Sequence, residues 1–152
     1  MTDNQMRAER YLRSIKDAER NIDIRKSEIE FLRYKASGSV AITYDKDRVQ
    51  TSPQDFMSLT IADMVDREKE LEEGMARHEE AKANAYRIIR QMEDVSHRTV
   101  LEWFYLENTS MLAIASKLNM SERATYYLRD DALEVFGSCM NKKFADVAVD
   151  CR

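Results

Sequence analysis

Proline occurs once and glycine three times in 152 residues. Tight turns, bulges and left-handed caps rely on these two residues. Their scarcity argues against a turn-rich β protein and favours long helices. Cysteine is nearly absent too. Cys139 and Cys151 both fall in the last 14 residues, and no histidine or further cysteine stands near them at ligand spacing. Neither a metal site nor a disulfide is expected, and the thiols are read as reduced. There is no glycine-rich phosphate loop, and the only histidines are His78 and His97, with no nucleophile or metal cluster beside them. An enzyme is therefore not expected, nor a cofactor. No apolar run approaches the roughly 18 residues of a membrane span, and no signal-like segment opens the chain. The charge is mildly acidic, with 24 Lys and Arg against 28 Asp and Glu. These absences lead to the expectation of a cytoplasmic, all-α protein with no membrane partner.

Charged residues make up 34% of the chain, against roughly 25% in ordinary globular proteins. Much of this charge is arranged around heptads. Ala8, Ile15, Ile22, Ile29 and Ala36 recur every seven residues, and Tyr11, Ala18, Arg25 and Leu32 follow three positions later. The pattern predicts a helix from about Asp3 to Ser37 with an apolar seam, stopped at Ser37-Gly38-Ser39. A linker over 38–52 comes next. Ser52 as cap and Pro53 at the first helical position predict a second long helix, ending near Glu93. Its seam is Met57, Met64, Leu71, His78, Ala85 and Met92, supported by Ile61, Met75 and Ile89.

Two seamed helices of similar length predict an antiparallel, coiled-coil-like hairpin over 1–93. A pair of helices buries only one stripe on each, so a homo-oligomer is expected, most simply a two-fold dimer. Ile15, Ile22, Ile29, Leu32, Met64, Leu71, Met75 and Ile89 are its expected seam. Arg25 is expected to snorkel to solvent, His78 to set register, and Gly74 to mark close packing.

Residues 94–136 carry a different pattern, that of a helix-turn-helix domain with three short helices. Ser96 is expected to cap a helix running to Glu107, with Val100, Leu101, Phe104 and Tyr105 inward. Asn108-Thr109 breaks it. Ser110 caps a second helix, Met111 to Leu118, with Leu112, Ala115 and Leu118 apolar. Asn119 is the turn residue able to take a positive φ. Ser121 caps a third helix, Glu122 to Phe136, with Thr125, Leu128, Ala132, Leu133 and Phe136 inward. The tail 137–152 has no readable role.

In helix-turn-helix complexes the start of the last helix meets base edges in the major groove. The expected base contacts are Glu122, Arg123, Tyr126, Tyr127 and Asp130. Arg123 suits bidentate pairing with guanine, Glu122 a cytosine amine, and the tyrosines thymine methyls. Arg98, Lys117, Ser121 and Arg129 are the expected phosphate contacts. The partner is double-stranded DNA. One count works against this reading. From Asp94 to Phe136 there are 4 Lys and Arg against 7 Asp and Glu, while residues 1–52 hold 11 against 9. Phosphate neutralisation drives non-specific affinity, so weak and strongly salt-dependent binding is expected of the C-terminal domain alone.

The segment from Arg98 to Phe136 resembles region four of bacterial sigma factors. The likeness rests on Arg98, Val100 and Leu101, then Ile114-Ala115, the Ser121 cap and Ala132-Leu133. The whole chain, with its hairpin and its linker of the form DRVQTS, resembles phage and prophage late-gene regulators of the RinA and ArpU type. The chain departs from the pattern at the turn, where Asn119 replaces the usual Gly, and in the tyrosines at 126 and 127. The resemblance implies a transcription regulator of phage late, packaging or lysis genes in the bacterial host cytoplasm. It also implies contact with RNA polymerase. The alternative is a non-enzymatic adaptor whose hairpin binds RNA polymerase, a sigma factor or a packaging component.

Overall fold

A computed structural model describes residues 1–37 and 53–149, with side chains at 1–37 and 58–142. The linker 38–52, the Ser52 cap and Cys151 lie outside the described residues. Every regular element described is helical. Helix α1 spans Asp3–Ala36 and α2 spans Pro53–Ile89. Then follow α3 (Val95–Leu101), a π-helical segment (Glu102–Leu106), α4 (Met111–Lys117) and α5 (Glu122–Val149). None of the described helices is long and apolar enough to cross a membrane.

The described chain divides into two compact units. The first gathers residues 1–18 with 78–152, and the second is 19–77. The boundary expected at residue 93 thus falls inside the first unit. Its core explains why. Ala8, Leu12 and Ile15 of α1 are buried with Ala85, Ile88 and Ile89 of α2, with Met92, and with Val100, Leu101, Tyr105, Leu106, Met111, Ile114, Ala132, Leu133 and Phe136. Three short helices alone offer too little apolar area to offset the entropy of ordering them. The start of α1 and the end of α2 supply the rest. Tyr11 stacks near Phe136 at 6.2 Å between ring centroids and donates its hydroxyl hydrogen bond to the Ala81 carbonyl at 3.3 Å.

Local differences from the sequence reading have physical causes. Asp94, not Ser96, caps α3: its carboxylate accepts from the Ser96 and His97 amides at 2.7 and 3.2 Å. Those bonds hold the Asp94 carboxyl below its ordinary pKa. The helix expected to reach Glu107 widens at Glu102, where the Glu107 amide donates to the Glu102 carbonyl. This i to i+5 step turns the adjacent Tyr105 and Leu106 both into the core. In α4 the inward residues are Met111, Ile114 and Ala115, and Leu112 is exposed. Positions i, i+3 and i+4 share one face, and Leu112 lies off it. Helix α5 does not stop at Phe136 but runs on to Val149. Gly137 is no terminator there. A Cβ on it would stand 2.5 Å from the Asn4 carbonyl oxygen, so the glycine is the point where α5 and the start of α1 touch backbone to backbone.

The second unit is thinly packed. Of its described side chains only Ile29 is buried, with Ile22, Leu32, Met64, Leu71 and Met75 half-buried. Arg33 pairs with Glu68, and Arg67 with Glu28 at 3.1 Å and with Asp63 at 3.2 Å. Arg25 is exposed, as expected. Its guanidinium lies at ordinary contact distance from where a Gly74 side chain would be.

Candidate nucleic-acid interface

Two polar turns set the start of α5. The first, Glu107 to Ser110, contains Asn108 at φ 53°. The Ser110 hydroxyl oxygen then accepts from the Ala113 amide and opens α4. The second turn, Leu118 to Ser121, contains Asn119 at φ 52°. Left-handed backbone is costly for most residues and tolerated by asparagine, which makes both positions natural corners. Ser121 Oγ accepts from the Ala124 amide at 3.1 Å and caps α5. The inward face of α5 is as the spacing predicts, with Thr125, Ala132, Leu133 and Phe136 fully buried and Leu128 half-buried. Thr125 bonds its hydroxyl back to the Ser121 carbonyl, so its burial leaves no orphan donor.

Opposite that face, Glu122, Arg123, Tyr126, Tyr127 and Asp130 line one open concavity. The five expected base-contact residues therefore share a single surface. They are organised as two arginine–tyrosine pairs. Arg123 reaches Tyr127: its Nε and Nη2 donate to the tyrosine oxygen at 3.3 and 3.1 Å, and the guanidinium carbon is 5.7 Å from the ring centroid. Arg129 lies over Tyr126 at 5.2 Å and grips Asp130 Oδ1 with two donors at 3.0 and 2.6 Å.

The four expected phosphate contacts differ in setting. Lys117 is exposed, with its ammonium 4.8 Å from the Trp103 ring. Ser121 is exposed and Arg98 is half-buried. Arg129 is the one whose surroundings depart most from the expectation, since its side chain is only 14% exposed. Burial disfavours its charge, but the Asp130 hydrogen bond and the nearby Tyr105, Asp130 and Glu9 outweigh this, so its pKa rises. Beneath it the Tyr105 hydroxyl is buried with no hydrogen-bond partner among the described residues. Desolvation pushes its pKa up to about 12 although the Arg129 charge opposes the shift.

The sequence reading missed what holds α5 from behind. Gln5 Nε2 donates to the Asp130 carbonyl at 3.0 Å. Thr2 Oγ1 and Asn4 Nδ2 both donate to the Glu134 carboxylate, which lowers its pKa. Asn141 donates to Asn4 at 3.1 Å. Lys16 donates to the Phe104 carbonyl at 3.0 Å and sits 3.7 Å from that ring's centroid. The polar run Thr2 to Gln5 was the only signal, and short polar runs at a chain start rarely distinguish brace from solvent.

Residues 43–135, more than half of the chain, match the family model described as protein of unknown function (DUF1492). The chain belongs to the DUF1492 family. The matched span runs from the linker through α2, α3 and α4 to the residue before Phe136, and so takes in the whole concavity. No curated protein and no solved structure matches the chain. Among the described residues no cluster of His, Cys, Asp or Glu is arranged to hold a metal ion.

Proposed function

We propose that this DUF1492 protein is a sequence-specific DNA-binding transcription regulator, acting on phage late, packaging or lysis genes in the bacterial cytoplasm. In this reading α4, the Asn119 turn and α5 form a helix-turn-helix, and α5 enters the major groove by its first three turns. One observation carries it: Glu122, Arg123, Tyr126, Tyr127 and Asp130 are gathered on one open face at the capped start of α5. Arg123 is exposed and can leave the Tyr127 hydroxyl for the O6 and N7 of a guanine, the commonest specific contact in the groove. Tyr126 and Tyr127 present rings to thymine methyls. Lys117, Arg98 and the Ser121 hydroxyl are the phosphate contacts of this reading. Arg129 serves instead as the strut that fixes Tyr126. Helices α1 and α2 form an antiparallel hairpin that brings two copies together on two half-sites. Resemblance to sigma region four adds RNA polymerase as a second contact. No catalytic role or cofactor is assigned.

A titration of the full-length protein by fluorescence anisotropy against duplex DNA from upstream of its neighbouring operon tests this. Binding is expected at about 50 mM salt, where phosphate contacts are strongest. Loss of binding in Arg123→Ala and Tyr126→Ala is expected beside it. Absence of binding, or identical binding by both variants, sinks the proposal.

The acidic balance of residues 94–136 favours a second reading, an adaptor that uses the hairpin to hold RNA polymerase, a sigma factor or a packaging component. Capture of such a partner that is lost on Arg25→Glu and unchanged by Arg123→Ala selects it.

A further inference from the structure

The heptad seam expected to join copies is largely occupied within the single chain. Ile15, Ile29 and Ile89 are buried, and the other five expected members are half-buried. A different surface of the second unit is left uncovered. Ile24 and Phe31, seven residues apart on one side of α1, are 52% and 56% exposed. Ile61 and Val65, four apart on one side of α2, are 45% and 54% exposed. Tyr34 and Leu59 are exposed as well, so a unit that buries one of its described side chains and exposes six large apolar ones lacks the core a stable helix pair requires.

The charge balance of the two helix portions favours a second copy of this chain as the cover. Within the second unit, residues 19–37 hold 5 Lys and Arg against 4 Asp and Glu, and residues 58–77 hold 3 against 6. The α1 portion is net positive and the α2 portion net negative. Lys35 lies over the Phe31 ring at 4.6 Å, so the apolar spot on α1 carries its cation with it. A two-fold contact repeats every pairing in reverse, residue i to j and j to i. Only a contact of α1 against α2 sets opposite signs together twice. Contacts of α1 with α1, or α2 with α2, set like signs together.

We infer that two copies of this chain associate through a two-fold interface in which the Ile24–Phe31 face of α1 packs on the Ile61–Val65 face of α2 in the partner copy, completing a four-helix bundle. This deepens the dimer in the proposed function by naming its surface, and it rests on that reading only for the use of two half-sites.

Sedimentation equilibrium and photo-crosslinking of the full chain test it. Wild type is expected to sediment at twice the 17.8 kDa chain mass. Phe31→Glu and Val65→Glu are each expected to weaken the dimer at least 100-fold, with helix content by circular dichroism matching wild type at concentrations where each variant is still dimeric. Lys35→Glu is expected to weaken it about tenfold, an effect that fades at high salt. With a benzophenone at position 31 and a mixture of light and heavy copies, crosslinks are expected to reach residues 58–77 of the other copy. A monomeric wild type, a dimer indifferent to Phe31→Glu and Val65→Glu, or crosslinks confined to α1 of the other copy overturns the inference. The two readings fail separately: a monomer that still binds DNA sinks only this surface, and a dimer that binds no DNA sinks only the reading of α5.

Discussion

Asn119 holds a positive φ at the corner before α5 without being glycine. Replacing it with alanine removes a side chain that tolerates left-handed backbone better than most, at a cost of about 1–2 kcal/mol. Glycine there is expected to be neutral within a few tenths. Chemical denaturation of both variants measures the difference. Tyr105 runs the other way. Its hydroxyl is buried and unpartnered, so Tyr105→Phe is expected to leave stability unchanged or raise it by about 1 kcal/mol. A loss of stability would show a partner that the described residues do not supply. Gly137→Ala sets two effects against each other. Alanine gains about 1 kcal/mol of helix propensity. The new methyl would meet the Asn4 backbone, which is no flexible side chain, and such overpacking costs about 1–3 kcal/mol. Net destabilisation is expected. Asp94 and Glu134 have folded pKa values below their ordinary ones, through backbone and side-chain hydrogen bonds respectively. Their contribution to stability is complete above the unfolded carboxylate range, about pH 4, and is lost as pH falls through the lower folded values. The thermal midpoint should decline in that acid window, and less steeply in Asp94→Asn, which keeps the cap without the titration.

At the scale of elements, the first four turns of α1 belong with α5. Leu12 is fully buried in the same core as Leu133 and Phe136, and Gln5, Asn4 and Thr2 bond to α5 between Asp130 and Glu134. Leu12→Ala is expected to cost about 2–5 kcal/mol. It should do so in the stability of the C-terminal helices, read by the fluorescence of Trp103, although the substitution lies 91 positions away. An unchanged Trp103 transition would show that residues 94–149 fold without α1. The π-helical segment acts similarly as a device for burial. Its i to i+5 step carries Tyr105 and Leu106, 1% exposed each, into the same core as Val100 and Leu101.

For the whole molecule, the proposed DNA-binding role requires an acidic protein to concentrate its cations. In that role the net charge of −4 would leave non-specific affinity weak, and specific contacts on α5 would supply most of the binding. Lys117→Ala should weaken binding evenly across sequences and reduce the salt slope by about one, whereas Arg123→Ala should cost about 1–3 kcal/mol and relax preference at one base position. Anisotropy titrations across a salt series separate the two.

Helix positions, caps and corners were set by local sequence. Pro53, the Ser110 and Ser121 hydroxyls and the two asparagines act over a few residues, and their geometry follows from covalent structure and the nearest hydrogen bonds. The grouping of Glu122, Arg123, Tyr126, Tyr127 and Asp130 on one face followed from the period of a helix alone. Tertiary structure decided the rest. That α1 braces α5, that Gly137 is a contact and not a stop, and that Arg129 supports Tyr126 from a half-buried position all depend on segments more than a hundred residues apart in sequence, or on burial that no local pattern encodes. Local rules act through bonds and neighbouring turns. The choice of which apolar faces meet is made by the total area they remove from water, a property of the folded chain alone.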